Sequence, residues 1–277
     1  MKVREAYVAG RFYPASQQLI DRQLDELLLK ETDKIKLGLA SREIIGGIVP
    51  HAGYMYSGAH ASHFFKILQI SDLKFDTVII IHPNHTGYGE NIALDQNDYW
   101  ESPYGKVELD GDFQNELDLP YSSLAHKFEH SGEVILPFLQ KYVYKPFRIV
   151  PISMLEQNYT ASVSLADKIY LAAQKTKRRI LIVASTDFSH HTKIEYGRQQ
   201  DDYVLKEILK LNSKGVYNQV KWHGVSMCGY GPVMTLIEYA QRVSESVKCE
   251  VLRRGHSGEV TLDDEVVNYI SMLVFEA

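Results

Sequence analysis

Thr77-Val78-Ile79-Ile80-Ile81-His82-Pro83-Asn84-His85 runs a β-branched, apolar stretch straight into a proline and two histidines. A short apolar run closed by a breaker predicts a strand buried on both faces. The same design recurs along the chain. Ile44–Val49 ends at Pro50-His51, and Ile180–Ala184 ends at Ser185-Thr186-Asp187. Arg148–Met154 and Cys249–Leu252 are similar runs. Between them the apolar period changes from strand-like to helical. Ile20, Leu24, Leu27 and Leu28 share a face, as do Ala61, Phe64, Phe65 and Leu68. Further stripes are Ile135/Phe138/Leu139/Tyr142, Leu165/Ile169/Ala172/Ala173 and Val233/Leu236/Ile237/Ala240. Ser16 and Ser131 stand where N-caps belong for the first and third of these helices. Strand–helix alternation predicts an α/β fold with a mainly parallel or mixed sheet and helices on both faces.

Two stretches depart from this rhythm. Residues 90–118 carry Trp100, several tyrosines and the turn signal Ser102-Pro103-Tyr104-Gly105, which predicts a β-hairpin excursion near the cleft. Val266–Phe275 is rich in Val, Ile, Tyr and Phe and reads as a last strand rather than a helix. Neither a repeat nor a low-complexity linker divides the chain, so residues 1–277 are expected to form a single domain.

Composition narrows the function. With 45% apolar and 23% charged residues and a net charge of −5, the chain is an ordinary globular sequence. Its densest basic stretch, Lys175–Arg179, is short and reads as a solvated helix end, so no nucleic-acid partner is expected. No apolar run approaches the ~20 residues of a membrane helix, and no secretory signal is evident, so no membrane association is expected. Two cysteines in different contexts, Cys228 and Cys249, suit a reduced cytoplasmic chain.

The chemically capable residues gather just after the strands. His51 follows the first, His82 and His85 the second, and Asp187, His190 and His191 the fourth. Open α/β sheets bind ligands beyond the carboxyl ends of their strands, so these loops are expected to converge on one cleft. Cys228, in Ser226-Met227-Cys228-Gly229, precedes a helix and is read either as an accessible thiol or as a small buried apolar group. Cys249 lies within a strand and reads as the latter. His130 and Glu133, spaced i, i+3 at a helix start, and Tyr54 beside Tyr56 are further cleft-lining candidates. Ordinary solvent-facing or packing roles fit His130 and the tyrosines equally well. His60, His63 and His126 read as helix-flank or loop residues.

At these residues a resemblance becomes specific. REAYVAGRFYP (4–14), PHAGYMYSG (50–58), HPNH (82–85), EHSGEVILPFL (129–139), STDFSH (185–190) and CGYGP (228–232) occur in the order of the Memo family, also called AmmeMemoRadiSam system protein B. The chain resembles that family from about Arg4 to its C-terminus. The resemblance implies a three-layer α/β/α fold with a central mixed sheet, like that of the class III extradiol ring-cleaving dioxygenases. It implies His51, His85 and Cys228 as metal ligands, and His190, with Asp187, in the place of the acid/base histidine. In the family's PxHH motif the second His is Thr86 here. It also implies an association with radical SAM system proteins, while the cleft itself is expected to take a small-molecule or peptide ligand.

Two imidazoles and a thiolate leave open positions on a metal, as catalytic sites do. A thiolate in place of the dioxygenase carboxylate favours softer metals, so iron or copper is expected, with zinc as a further candidate. The expected activity is that of a metal-dependent oxidoreductase acting on a small molecule. The alternatives are a non-redox enzyme with Cys228 as nucleophile, His190 as base and Asp187 as orienter, or a non-catalytic peptide-binding module.

Overall fold

A computed structural model describes residues 1–277. Its centre is a seven-stranded sheet. In chain order the strands are β1 (Glu43–Val49), β2 (Thr77–Pro83), β3 (Ile92–Leu94), β4 (Arg148–Met154), β5 (Ile180–Ser185), β6 (Val247–His256) and β7 (Asn268–Glu276). Their spatial order is β6-β7-β1-β5-β2-β4-β3. The four inner strands β1, β5, β2 and β4 are parallel, whereas β6, β7 and β3 pair antiparallel at the two edges. The last strand is therefore where its Val, Ile and Phe content predicts it.

Seven helices cover the sheet: α1 (Gln17–Leu29), α2 (Tyr54–Ile70), α3 (Ile135–Tyr142), α4 (Tyr159–Thr176), α5 (Ile194–Leu209), α6 (Ser213–His223) and α7 (Tyr230–Val243). Side chains alternate across each inner strand and feed two separate cores. Ile79 and Ile81 of β2 and Ile182 and Ala184 of β5 pack with α4, α5, α6 and α7. Val78, Ile80, Leu181 and Val183 pack with α1, α2 and α3 on the opposite face. This is a three-layer α/β/α arrangement, and burial on both faces explains why the inner strands are apolar without alternation. At β1 the chain approaches its neighbours too closely for a side chain: a Cβ on Gly47 would collide with the Phe64 ring, and one on Gly46 with the Ile182 carbonyl.

Residues 99–108 form the expected hairpin, Tyr99–Ser102 against Gly105–Glu108, with Val3–Arg4 added as a third strand. It reaches the functional region only from behind, through the buried Trp100. Of the two predicted caps, Ser16 does occupy the N-cap of α1, although its side chain makes no capping bond; the other needs correction. Ser131 does not cap α3, which begins four residues later at Ile135. The Ser131 hydroxyl instead lies among the Pro83 carbonyl, the His82 ring and the Glu129 carboxylate. The polar partners met in the tertiary fold outcompete the local cap.

Candidate metal centre

Three adjacent parallel strands, β1, β5 and β2, deliver their C-terminal loops to one place. Pro50 closes β1, and the next backbone N–H, that of His51, donates to Asp187 Oδ1 at 2.9 Å. Asp187 follows β5, so this bond ties two of the loops together. After β2, Asn84 Oδ1 accepts from the N–H groups of Thr86 and Gly87, both at 3.0 Å. That turn, with Gly87 at φ +72°, aims His85 back over the sheet. Thr86 uses its hydroxyl to support the turn by donating to Asn84 Oδ1.

Cys228 arrives from a fourth direction, the loop between α6 and α7. Gly224, with φ +62°, ends α6 in the left-handed region. Gly229 then lies so close to β5 that an added Cβ would collide with the Ser185 carbonyl. That contact brings the start of α7 onto the sheet's C-terminal edge and sets Cys228 Sγ 3.2 Å from His51 Nε2. Donor atoms of His51, His85 and Cys228 all lie within 4.8 Å of one another, so the three form a group able to hold a metal ion. His51 is buried at the floor, Cys228 is half-buried, and the His85 side chain keeps 34% exposure.

Hydrogen bonds fix which ring nitrogen is free. Ser185 Oγ donates to the Ser131 carbonyl at 2.8 Å, so toward His51 Nδ1, 2.7 Å away, it accepts. His51 therefore carries its proton on Nδ1 and turns the Nε2 lone pair toward Cys228. His85 Nδ1 lies 2.9 Å from Glu129 Oε1, a carboxylate that accepts only, which leaves His85 Nε2 free as well. His130 stacks on His85 with ring centroids 4.7 Å apart, and its Nδ1 lies 3.3 Å from the same Glu129 oxygen. Glu129 thus also falls within a possible ligand group with His85 and His130. Its carboxylate is fully buried and accepts from Ser131 N, Ser131 Oγ and His85 N too, so it acts here as a hydrogen-bonding support.

The electrostatics suit neutral imidazoles. Burial, and then neighbouring His85 and His130, hold His51 well below its ordinary pKa. Burial lowers His130 to about 4, against the pull of Glu129. Desolvation and the Asp187 charge push the Cys228 thiol upward, so without a cation beside it the sulfur stays protonated. Burial raises Asp187 to about 6, although His190 and the His51 N–H favour its ionised form.

The remaining sequence candidates divide. His190 sits on the rim, with its backbone N–H donating to Ser226 Oγ at 2.8 Å and its Nδ1 to the Ser226 carbonyl at 2.9 Å. The nitrogen that Asp187 would orient in a Cys228–His190–Asp187 chain is therefore taken, and the imidazole facing Cys228 is His51. Tyr54 and Glu133 do not line the cleft. Tyr54 is fully buried, donates to the Val134 carbonyl at 2.9 Å and packs on Phe138. Glu133 lies in the turn before α3 and points away, into an ion pair with Arg4 at 2.7 Å. His130 and Glu133 share no helix face because the helix has not yet begun. His60, His63 and His126 are core residues, not flank residues. His126 stands 3.2 Å from His82, beneath the site.

Glu129 and Ser185 were not distinguished by the sequence. Glu129 adjoins His130, but its bond to His85 spans 44 residues. A hollow of about 260 Å³ is lined by Phe12, Gly53, Met55 and Tyr56; none of the three donors lines it, and Phe12 connects it to the centre by packing on His130. A larger hollow of about 610 Å³ lies elsewhere, around Asp95, Asp110 and Arg148. Its buried acids are already partnered by Trp100, Thr77 and Arg178.

No helix is long and apolar enough to cross a membrane. The family model for Memo-like proteins matches residues 4–273. A MEMO1 family protein of Methanococcoides burtonii is 34% identical, with 98% of this chain and 100% of the relative covered. One from Pyrobaculum arsenaticum is 36% identical over 99% of both chains. One from Methanococcus maripaludis is 36% identical over 98% of this chain and 99% of its own. A match over almost the whole length, together with the motifs that build the centre, places this chain in the Memo family.

Proposed function

We propose that the cleft binds one transition-metal ion through His51, His85 and Cys228, and that the chain is a metal-dependent oxidoreductase acting on a small molecule. One observation carries this reading: two imidazoles with their Nδ1 protons already committed turn their free nitrogens toward the same thiol. The donor set fits the group it would hold. Two neutral nitrogens and one soft sulfur suit iron or copper, with zinc as a further candidate, and three protein donors leave coordination open.

When bound, the metal supplies redox or Lewis-acid chemistry. The chain's own residues do the rest. Ser185 and Glu129 hold the ligand rings in one tautomer. His190, with Nδ1 bound to a carbonyl, offers Nε2 at the rim as a proton acceptor. Phe12, Met55 and Tyr56 give the nearby hollow an apolar wall for a small organic or peptide ligand. The proposal extends to a reducing cytoplasmic setting, which keeps Cys228 available, and to radical SAM system proteins as partners.

Anaerobic purification followed by elemental analysis tests the reading, with about one metal ion per chain expected. A second reading rests on the 3.2 Å approach of Cys228 Sγ to His51 Nε2, which also suits a thiol nucleophile and its base. A protein that takes up no metal anaerobically, yet is alkylated rapidly at Cys228 near neutral pH, would establish that reading instead.

A further inference from the structure

We propose that Glu129 is a positioning residue of this centre and that Arg4 holds it in place, so that the N-terminal segment Val3–Tyr13 is part of the metal site. The inference rests on the metal-binding reading above. Glu129 receives the Nδ1 group of His85 on one oxygen, which also lies 3.3 Å from His130 Nδ1, and the His85 backbone N–H on the other, at 2.6 Å. One carboxylate thereby sets both the tautomer and the aim of His85, the ring on which His130 stacks.

Its own main chain is held from behind. Arg4 is 4% exposed and lies over the Trp100 ring at 4.4 Å. Its guanidinium donates to the Glu129 carbonyl at 2.7 Å and to the His126 carbonyl at 2.8 Å, and pairs with Glu133 at 2.7 Å. These three bonds span both ends of the turn that presents Glu129 and His130. Glu133 in turn accepts from Tyr7 N, Val8 N and Tyr13 Oη at 2.9, 2.8 and 2.6 Å. No other group on this face of the turn serves both carbonyls. Loss of Arg4 would leave the Glu129 carbonyl without a donor, the His126 carbonyl with only its local backbone bond, and Glu133 without its buried countercharge. The turn would then shift, and with it the carboxylate beneath His85.

The consequence is coupling. If Arg4 supports the metal-binding arrangement, bound metal must stabilise the docking of the N-terminal segment by the same free energy. The test uses full-length protein and Co(II) as probe. Glu129→Gln should weaken cobalt binding by about 10–100-fold, the usual effect of a carboxylate behind a ligand histidine. The exchangeable, paramagnetically shifted Nδ1–H signal of His85 should move and exchange faster, while that of His51, held by Ser185, stays in place. A general loss of structure would disturb both. In the unaltered protein, cobalt should slow hydrogen exchange at the Tyr7 and Val8 amides. Unchanged affinity and signals in Glu129→Gln, where Cys228→Ser abolishes binding, overturn the role of Glu129 and leave the metal site standing. Unchanged Tyr7 and Val8 exchange overturns the role of Arg4. Failure of the unaltered protein to bind cobalt overturns both this inference and the function beneath it.

Discussion

One imidazole cluster lies just before helix α2 and another on it, and only the first resembles a place for a metal. In the cleft, Glu129 and Ser185 take the Nδ1 protons and leave Nε2 of His51 and His85 free, facing a thiol. Within the helix itself, His60 and His63 are as buried as His51 and have Glu31 beside them. There the centre is filled by Arg253. Its guanidinium grips Glu31 in two bonds of 2.8 and 3.1 Å, reaches Glu259 at 3.1 Å and donates to His60 Nε2. A permanent cation already satisfies the carboxylates and the lone pair. Histidines and acids in one volume do not make a metal centre; uncommitted lone pairs converging on space do.

The largest expected effect breaks the Arg253 cluster. Arg253→Leu removes the main partner of buried Glu31, leaving it Lys34 and His63, and should cost about 3 kcal/mol of stability, read from urea unfolding. The cleft should be untouched, so the folded variant should bind metal as the original chain does. Loss of metal affinity in well-folded Arg253→Leu would erase the distinction between the two clusters. Cys228→Ser should do the converse: metal affinity falls by more than ~100-fold, beyond what a supporting residue costs, while stability changes little. Cys249→Ser, in edge strand β6, serves as the control and should leave metal binding unchanged.

Acid should sharpen the contrast. Against the cost of burial, the hydrogen bond and charge of Arg253 lower Glu31 to about 2. A folded pKa below the unfolded value contributes stability above roughly pH 4.5 and loses it as pH falls toward 2. His60 is held well below its ordinary value by burial and then by Arg253. The unfolded chain therefore takes up its proton first, and stability declines as pH drops below about 6.5. Melting temperatures should fall in both windows, and Glu31→Gln should shrink the lower one, which Glu129, Asp21 and Asp76, also held low, share. An unchanged lower transition in that variant would show that Glu31 does not drive it.

The smallest effect concerns the rim. His190→Ala loses the ring bond to Ser226 and should lower stability by about 1 kcal/mol. Metal stoichiometry, read by calorimetric titration, should stay near that of the unaltered protein. Loss of the metal with the fold intact would make His190 a ligand.

The fold was legible because inner parallel strands announce themselves. Thr77–Ile81 and Ile180–Ala184 have no polar face, since helices cover both sides. The loops after β1, β2 and β5 were legible for the same reason, because a strand's end fixes where its next residues go. What could not be read was the direction of side chains whose partners are remote in sequence. Glu133 and His130 stand three apart, yet one turns to Arg4 and the other to His85. Glu129 draws its meaning from His85, and Ser131 gives up a helix cap for partners on β2. His60 and His63 looked peripheral because Arg253, 193 residues from His60, is what makes their burial tolerable.

The most direct test is X-ray absorption on zinc-loaded protein. One sulfur scatterer near ~2.3 Å and imidazole nitrogens near ~2.0–2.1 Å are expected, with the sulfur lost in Cys228→Ser. A metal environment of nitrogen and oxygen alone in the unaltered protein would contradict a centre built on His51, His85 and Cys228.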